Sequence, residues 1–196
     1  MKKYLLILLF ALPILAISQG VLTSSEAKLK ASSQIKMLKN GKLIVRLHTK
    51  SRTIKLLQDK GMLKRANYIK EEQEKLNLKI VESFKDFKFC EVYFFYSDFS
   101  GAIIEENYSK VKLLDSSLKN SGINLDSNFL VADFGKMAGG NQMNMESMYL
   151  MDNKLKLLFK PFPFYVRFHP TPIQSLTHKK VVARMDKKLT KFYGKK

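Results

Sequence analysis

The chain has 196 residues, 45% hydrophobic and 27% charged, with 35 Lys and Arg against 17 Asp and Glu and a formal charge of +18. That mix is too apolar for a disordered chain and too charged for a membrane bundle. A single cysteine excludes a disulfide scaffold and any multi-cysteine zinc site.

Lys2 and Lys3 precede an apolar run from Tyr4 to Ala16, which Pro13 interrupts near its end. Ala16-Ile17-Ser18 then places small residues where a signal peptidase reads them. These features describe a secretory leader over residues 1–18, with Gln19 as the new N-terminus. The run is shorter than the roughly 20 residues a spanning helix needs, so an uncleaved anchor is the weaker alternative. Residues 19–196 are then expected to be one globular domain, exported to the periplasm or beyond the cell, with no transmembrane segment. Such a length buries enough surface for one core without staples.

Residues 24–39 read as a helix, with Ser24 or Ser25 as cap, Ala27, Ala31, Ile35 and Leu38 on one face, and Asn40-Gly41 as its close. Leu43 to His48 is short and rich in branched residues, hence a strand. Residues 51–87 are strongly helical, with Ser51 as cap and Gly61 dividing a short helix from a long one. Its apolar stripe is Met62, Ala66, Ile69, Leu76, Ile80, Phe84 and Phe87, interrupted at Gln73. Cys90 to Tyr96 is a near-continuous apolar run and reads as a central strand covered on both faces. Strand, long helix and strand make a βαβ unit, so these two strands are expected to be parallel.

Residues 101–106 read as another short strand, 115–126 as polar turns and Phe129 to Phe134 as a buried strand. Tyr149 to Met151 and Leu155 to Phe159 flank Asp152-Asn153-Lys154 as a hairpin. Phe164 to Phe168 forms a further extended segment. A last helix, from about His178 to Tyr193 and capped by Thr177, turns Val181, Val182, Met185, Leu189 and Phe192 inward. The order implies an α/β (or α+β) fold: a single mixed β-sheet layered by helices, with one long-helix βαβ unit and a C-terminal helix. A thioredoxin-like arrangement would satisfy this order. That likeness is geometric, since no paired-cysteine redox motif is present.

Cys90 and His48 could suggest a nucleophile and its base. In a parallel pair, however, His48 ends its strand and Cys90 begins the next, about 20 Å away at roughly 3.3 Å per residue. Cys90 is therefore expected to be buried and unreactive. The carboxyl ends of parallel strands are where open α/β sheets bind ligands. That edge would gather His48, Thr49, Lys50, Ser51 and Arg52 with Ser97 and Asp98, and Asp133 too if its strand is also parallel. The first group starts a helix, where free N–H groups attract anions. Ordinary capping with solvated basic residues is the competing reading. His48 and Asp98 could also form an acid–base pair, which would make the edge an enzyme site.

Met137, Met143, Met145, Met148 and Met151 cluster beside Gly139-Gly140-Asn141, and thioether sulfur is a soft ligand that favours Cu(I). Met148 and Met151 fall in a strand, though, and methionine commonly fills core gaps. His169 and His178 lack zinc-ligand spacing, so neither a metal nor another cofactor is expected. The terminal helix carries His178, Lys179, Lys180, Arg184, Lys187, Lys188 and Lys191 around its apolar stripe. It could lie on anionic lipid headgroups or an acidic envelope polymer, or pack on the core with its basic side solvated. Nucleic acid is not an expected partner: Arg46, Arg52, Arg65, Arg167 and Arg184 are the only arginines, and lysine lacks their bidentate fork. The expected function is thus an envelope binding or accessory module for anionic partners. Enzyme action at His48, Ser97 and Asp98, and Cu(I) binding in the 137–151 loop, are its rivals.

Overall fold

The computed structural model describes residues 23–137, 145–171 and 173–195. The leader reading, residues 1–18, lies outside them, as does Met143. No helix among the described residues is long and apolar enough to cross a membrane.

The described chain runs α1 (Ser24–Asn40), β1 (Lys42–Leu47), α2 (Ser51–Asp59), α3 (Leu63–Ser83), β2 (Glu91–Tyr96), α4 (Ser100–Ile104), β3 (Phe129–Lys136), β4 (Glu146–Met151), β5 (Tyr165–Arg167) and α5 (His178–Tyr193). The five strands form one mixed sheet in the order β2-β1-β3-β4-β5. β1 pairs in parallel with both β2 and β3, whereas β4 and β5 add antiparallel strands beyond β3. The α/β fold is therefore as expected, with β1 at the centre of the parallel part. Alternation along β1 divides the core. Leu43, Val45 and Leu47 join a cluster with Ile35 and Leu38 of α1, Ile80 and Val81 of α3, and Val181, Met185 and Leu189 of α5. Ile44 faces the other side, where Phe95, Phe129, Val131 and Met151 meet Ile103 of α4 and the loop residues Val111, Leu113 and Leu125.

Several local expectations are corrected. α1 begins one residue earlier in its capping than expected: Thr23 is the cap, in a reciprocal pair with Glu26. β2 is an edge strand, not a central one. Its sequence reads as continuously apolar because Phe94 serves one core cluster and Phe95 the other. The outer edge of β2 is covered by a two-way backbone bridge between Phe94 and Leu114. Residues 101–106 supply the short helix α4, not a strand; only Ile103 is buried there, and Ile104 is exposed. Two adjacent isoleucines favour a strand by propensity, but one anchor suffices to dock a helical turn. Leu155 to Phe159 contributes a single bridge, Met151 to Leu157, in place of a second hairpin strand.

The break at Gly61 occurs as read from the sequence, with φ +72° there. α3, however, ends at Ser83 and follows the expected stripe only in part: Ala66, Ile80 and the following Phe84 are buried as read, but two members of the stripe are not. Ala66, Gln73, Asn77, Ile80 and Val81 are buried, while Met62 and Leu76 are exposed. Gln73 is thus part of the interior face and not an interruption of it. At the α1–β1 junction, a Cβ on Gly41 would come within 2.2 Å of the Asn128 carbonyl oxygen. Only glycine lets the chain pass that close to the loop entering β3.

Candidate functional site

The parallel register places chemistry at one edge of the sheet. Ile44 of β1 lies beside Val131 of β3, and Val131 beside Met151 of β4. Two residues further on, the same three strands supply Arg46, Asp133 and Tyr149 on that face, so an apolar row is followed by a polar one. Asp133 is 1% exposed. Its Oδ2 accepts from Arg46 Nη1 and Tyr149 OH, each at 3.3 Å. Its Oδ1 accepts from the Phe134 amide at 2.7 Å and lies 2.9 Å from His48 Nε2. A buried carboxylate requires such partners, because an unpaired charge in the interior is costly. Burial, then the charge of Asp133 and its hydrogen bond, push the Tyr149 phenol well above its ordinary range. Tyr149 is therefore a donor here and remains protonated across the physiological range.

The residues just past β1 are held from both sides. Asn77 of α3 donates its Nδ2 hydrogen to the His48 carbonyl at 2.8 Å, and Gln73 Nε2 donates to Asn77 Oδ1 at 3.0 Å. The two buried amides thus clamp the strand end from the helix. On the β2 side, the Thr49 amide donates to Ser97 Oγ at 3.2 Å, and the two hydroxyls of that pair also lie 3.2 Å apart. Ser51 Oγ lies 2.8 Å from Thr49 Oγ1 and 2.9 Å from Asp98 Oδ1. His48, Thr49, Ser51, Ser97 and Asp98 are thus brought together as the sequence reading grouped them. The predicted pairing within the group is corrected: His48 meets Asp133, while Asp98 engages Ser51. The carboxylate beside the imidazole thus comes from β3, not from the turn that follows β2.

Lys50 is the residue preceding α2 and adopts a left-handed conformation, φ 54° and ψ 24°. Such a conformation in a side-chain-bearing residue carries strain; Glu106, Leu118 and Leu155 share it. No side chain caps α2, which corrects the expectation that Ser51 would do so; its hydroxyl is turned to Thr49 and Asp98. Two concavities open on either side of the 48–51 loop. The first, about 660 Å³, lies between α2 and α3, with Gln73 and Asn77 among its walls. The second, about 560 Å³, is lined by Arg46, Lys50 and Arg52 together with Ser97 and Asp98. His48, Thr49 and Ser51 border both.

No family model, curated protein or solved structure matches this chain. The thioredoxin-like likeness accordingly stays an analogy of topology.

Elsewhere, Cys90 is partly exposed and not fully buried as expected, but burial pushes its thiol up to about 12. At that value almost no thiolate exists at neutral pH, and the residue is inert. Met137, Met148 and Met151 are 2%, 0% and 6% exposed, placing their sulfurs in the core. No group of His, Cys, Asp and Glu able to hold a metal occurs among the described residues. Sequence inspection missed Asn77, Gln73 and Tyr149. The polar break at Gln73 was the one visible trace of them, since a buried amide in an apolar stripe needs a partner.

Proposed function

We propose that this protein is an exported α/β binding module whose second edge cleft receives a small anionic molecule, one bearing a carboxylate or a phosphate. The observation that carries this reading is the charge on the cleft wall. Lys50 and Arg52 line it together with Arg46, whose charge is paired with Asp133, against one carboxylate, Asp98, which accepts a hydrogen bond from Ser51. Lys50 and Arg52 have no acidic partner among the described residues. The first amides of α2, left without a side-chain cap, add donors of the same polarity. Export is supported by the leader pattern of residues 1–18.

A looser attraction to acidic envelope polymers or lipid headgroups accompanies this role. Val181, Val182, Met185 and Leu189 commit the apolar face of α5 to the core. Lys180, Lys187 and Lys191 are exposed and attract by charge alone, an attraction that fades with salt.

Titration of ¹⁵N-labelled mature protein with inorganic phosphate, then with citrate, tests the cleft. The amides of Thr49 to Thr53 are expected to shift at low ionic strength, and the Lys50→Ala/Arg52→Ala double variant to lose that response. Unmoved amides with both probes would remove the anion reading. N-terminal sequencing of material from an expressing bacterium checks export separately: Gln19 supports it, whereas Met1 ends it.

A further inference from the structure

His48 is the one titratable group bordering both clefts, and its two ring nitrogens are in different circumstances. Nε2 lies 2.9 Å from Asp133 Oδ1, and the carboxylate is itself fixed by Arg46, Tyr149 and the Phe134 amide. A carboxylate only accepts, so the hydrogen between them belongs to Nε2. Nδ1 has no hydrogen-bond partner among the described residues. The side chain is 38% exposed, and the backbone carbonyl is pinned by Asn77. The imidazole is therefore held in one tautomer and one orientation, with a lone pair available on its open nitrogen.

We propose that His48 is a general base, with Asp133 as its positioning residue, acting on a hydroxyl or water next to an anion bound in the second cleft. The oxygen–hydrogen bond of that hydroxyl breaks, its proton becomes Nδ1–H, and the electron pair stays on oxygen as the nucleophile. The oxygen bonds to a carbonyl carbon or phosphorus of the bound molecule as that atom's bond to its leaving group breaks, and the imidazolium, held through Nε2–H by Asp133, hands the Nδ1 proton to that group. The arrangement supplies what base catalysis needs: an oriented imidazole, a buried carboxylate bonded to one of its nitrogens, and a concavity that His48 borders. The substrate class, a small carboxylate- or phosphate-bearing molecule, rests on the anion reading of the cleft.

Iodoacetate and iodoacetamide separate the two ideas in the intact mature protein. In either reaction an imidazole nitrogen displaces iodide from carbon, so the site of alkylation reports which nitrogen is free. Mass spectrometry and NMR of the product are expected to place the new bond on Nδ1 of His48. The iodoacetate-to-iodoacetamide rate ratio should be roughly tenfold higher at His48 than at the exposed His169, as a cationic cleft would impose. Long-range ¹⁵N spectra should show protonated Nε2 in the unmodified protein and mixed tautomers in Asp133→Asn. Alkylation on Nε2, or a native ring protonated at Nδ1, overturns the base assignment without touching the anion reading. Modification at Nδ1 with equal ratios at His48 and His169 overturns the anionic substrate class and leaves the base. Because these outcomes are read on the wild-type chain, they hold even where Asp133→Asn folds poorly.

Discussion

Asp133 concentrates the energetics of the site in one carboxylate. It is all but inaccessible to water, and Arg46, at 3.3 Å, is its formal counter-charge. Removing one member of such a pair strands the other in the interior, at a cost of about 3 kcal/mol, whereas neutralising both is far milder. Arg46→Met is therefore expected to lower unfolding free energy by about that amount. The Arg46→Met/Asp133→Asn double variant should recover a substantial part of the loss. Urea unfolding of the four proteins of this cycle measures it; a double variant as unstable as the sum of its singles would show that the two residues are not coupled. The same residue illustrates the limit of reading one dimension. The sequence places Asp133 at the edge only on the condition that its strand runs parallel to β1, and that pairing depends on residues far apart in the chain. Asp98, just past β2, needs no such condition to reach the edge, which makes it the nearer candidate partner for His48 in the sequence.

At the scale of elements, α5 shows how a helix with a strongly basic composition can be a core helix. Its stripe is buried, and Thr177 caps it by accepting from the Lys180 amide. The first residue of the helix, His178, packs against the rings of Phe134 and Phe168, with centroids 5.5 and 4.8 Å away. Burial there, followed by the nearby Lys79, lowers its pKa below the ordinary histidine value, with Glu146 opposing weakly. The unfolded chain thus takes up this proton at a higher pH than the folded one. The contribution to stability is whole above about pH 6.5 and declines as pH falls through the folded value. The urea midpoint is expected to drop between pH 7.5 and 5, and to drop less in His178→Phe. Equal losses in the two proteins would show that His178 is not responsible. α3 teaches a complementary lesson: periodicity located the helix and its break, but chose Leu76 over Asn77 for the interior. An amide can be buried when its hydrogen bonds are satisfied locally, and those partners, Gln73 and the His48 carbonyl, come from the fold.

Across the whole molecule, basic residues outnumber acidic ones two to one. Ion pairs such as Lys42–Asp126 and Lys179–Asp86 engage some lysines, but acids are too few to balance them. Self-repulsion then opposes compactness, and salt screens it, shrinking the Debye length from about 30 Å at 0.01 M to about 8 Å at 0.15 M. Raising sodium chloride across that interval is expected to increase the thermal midpoint by about 3 °C, the shift that roughly 1 kcal/mol produces at this size. A midpoint that falls or stays level would mean that attractive pairs outweigh the repulsion. The same salt should release the protein from anionic vesicles.

Composition and local patterning were enough for the fold class, the parallel β1–β2 unit, the break at Gly61, the capped terminal helix and the gathering of His48, Thr49, Ser51, Ser97 and Asp98. The elements follow from side-chain period and glycine freedom, which are local; the gathering follows from the one long-range rule the order of elements supplies, that two strands joined by a long helix lie parallel with their carboxyl ends together. The edge position of β2, the helical turn at α4 and the Asp133–His48 pair belonged to the folded molecule alone. Each depends on which distant strand lies alongside, and a hydrogen bond between residues 85 apart leaves no periodic mark on the chain that forms it.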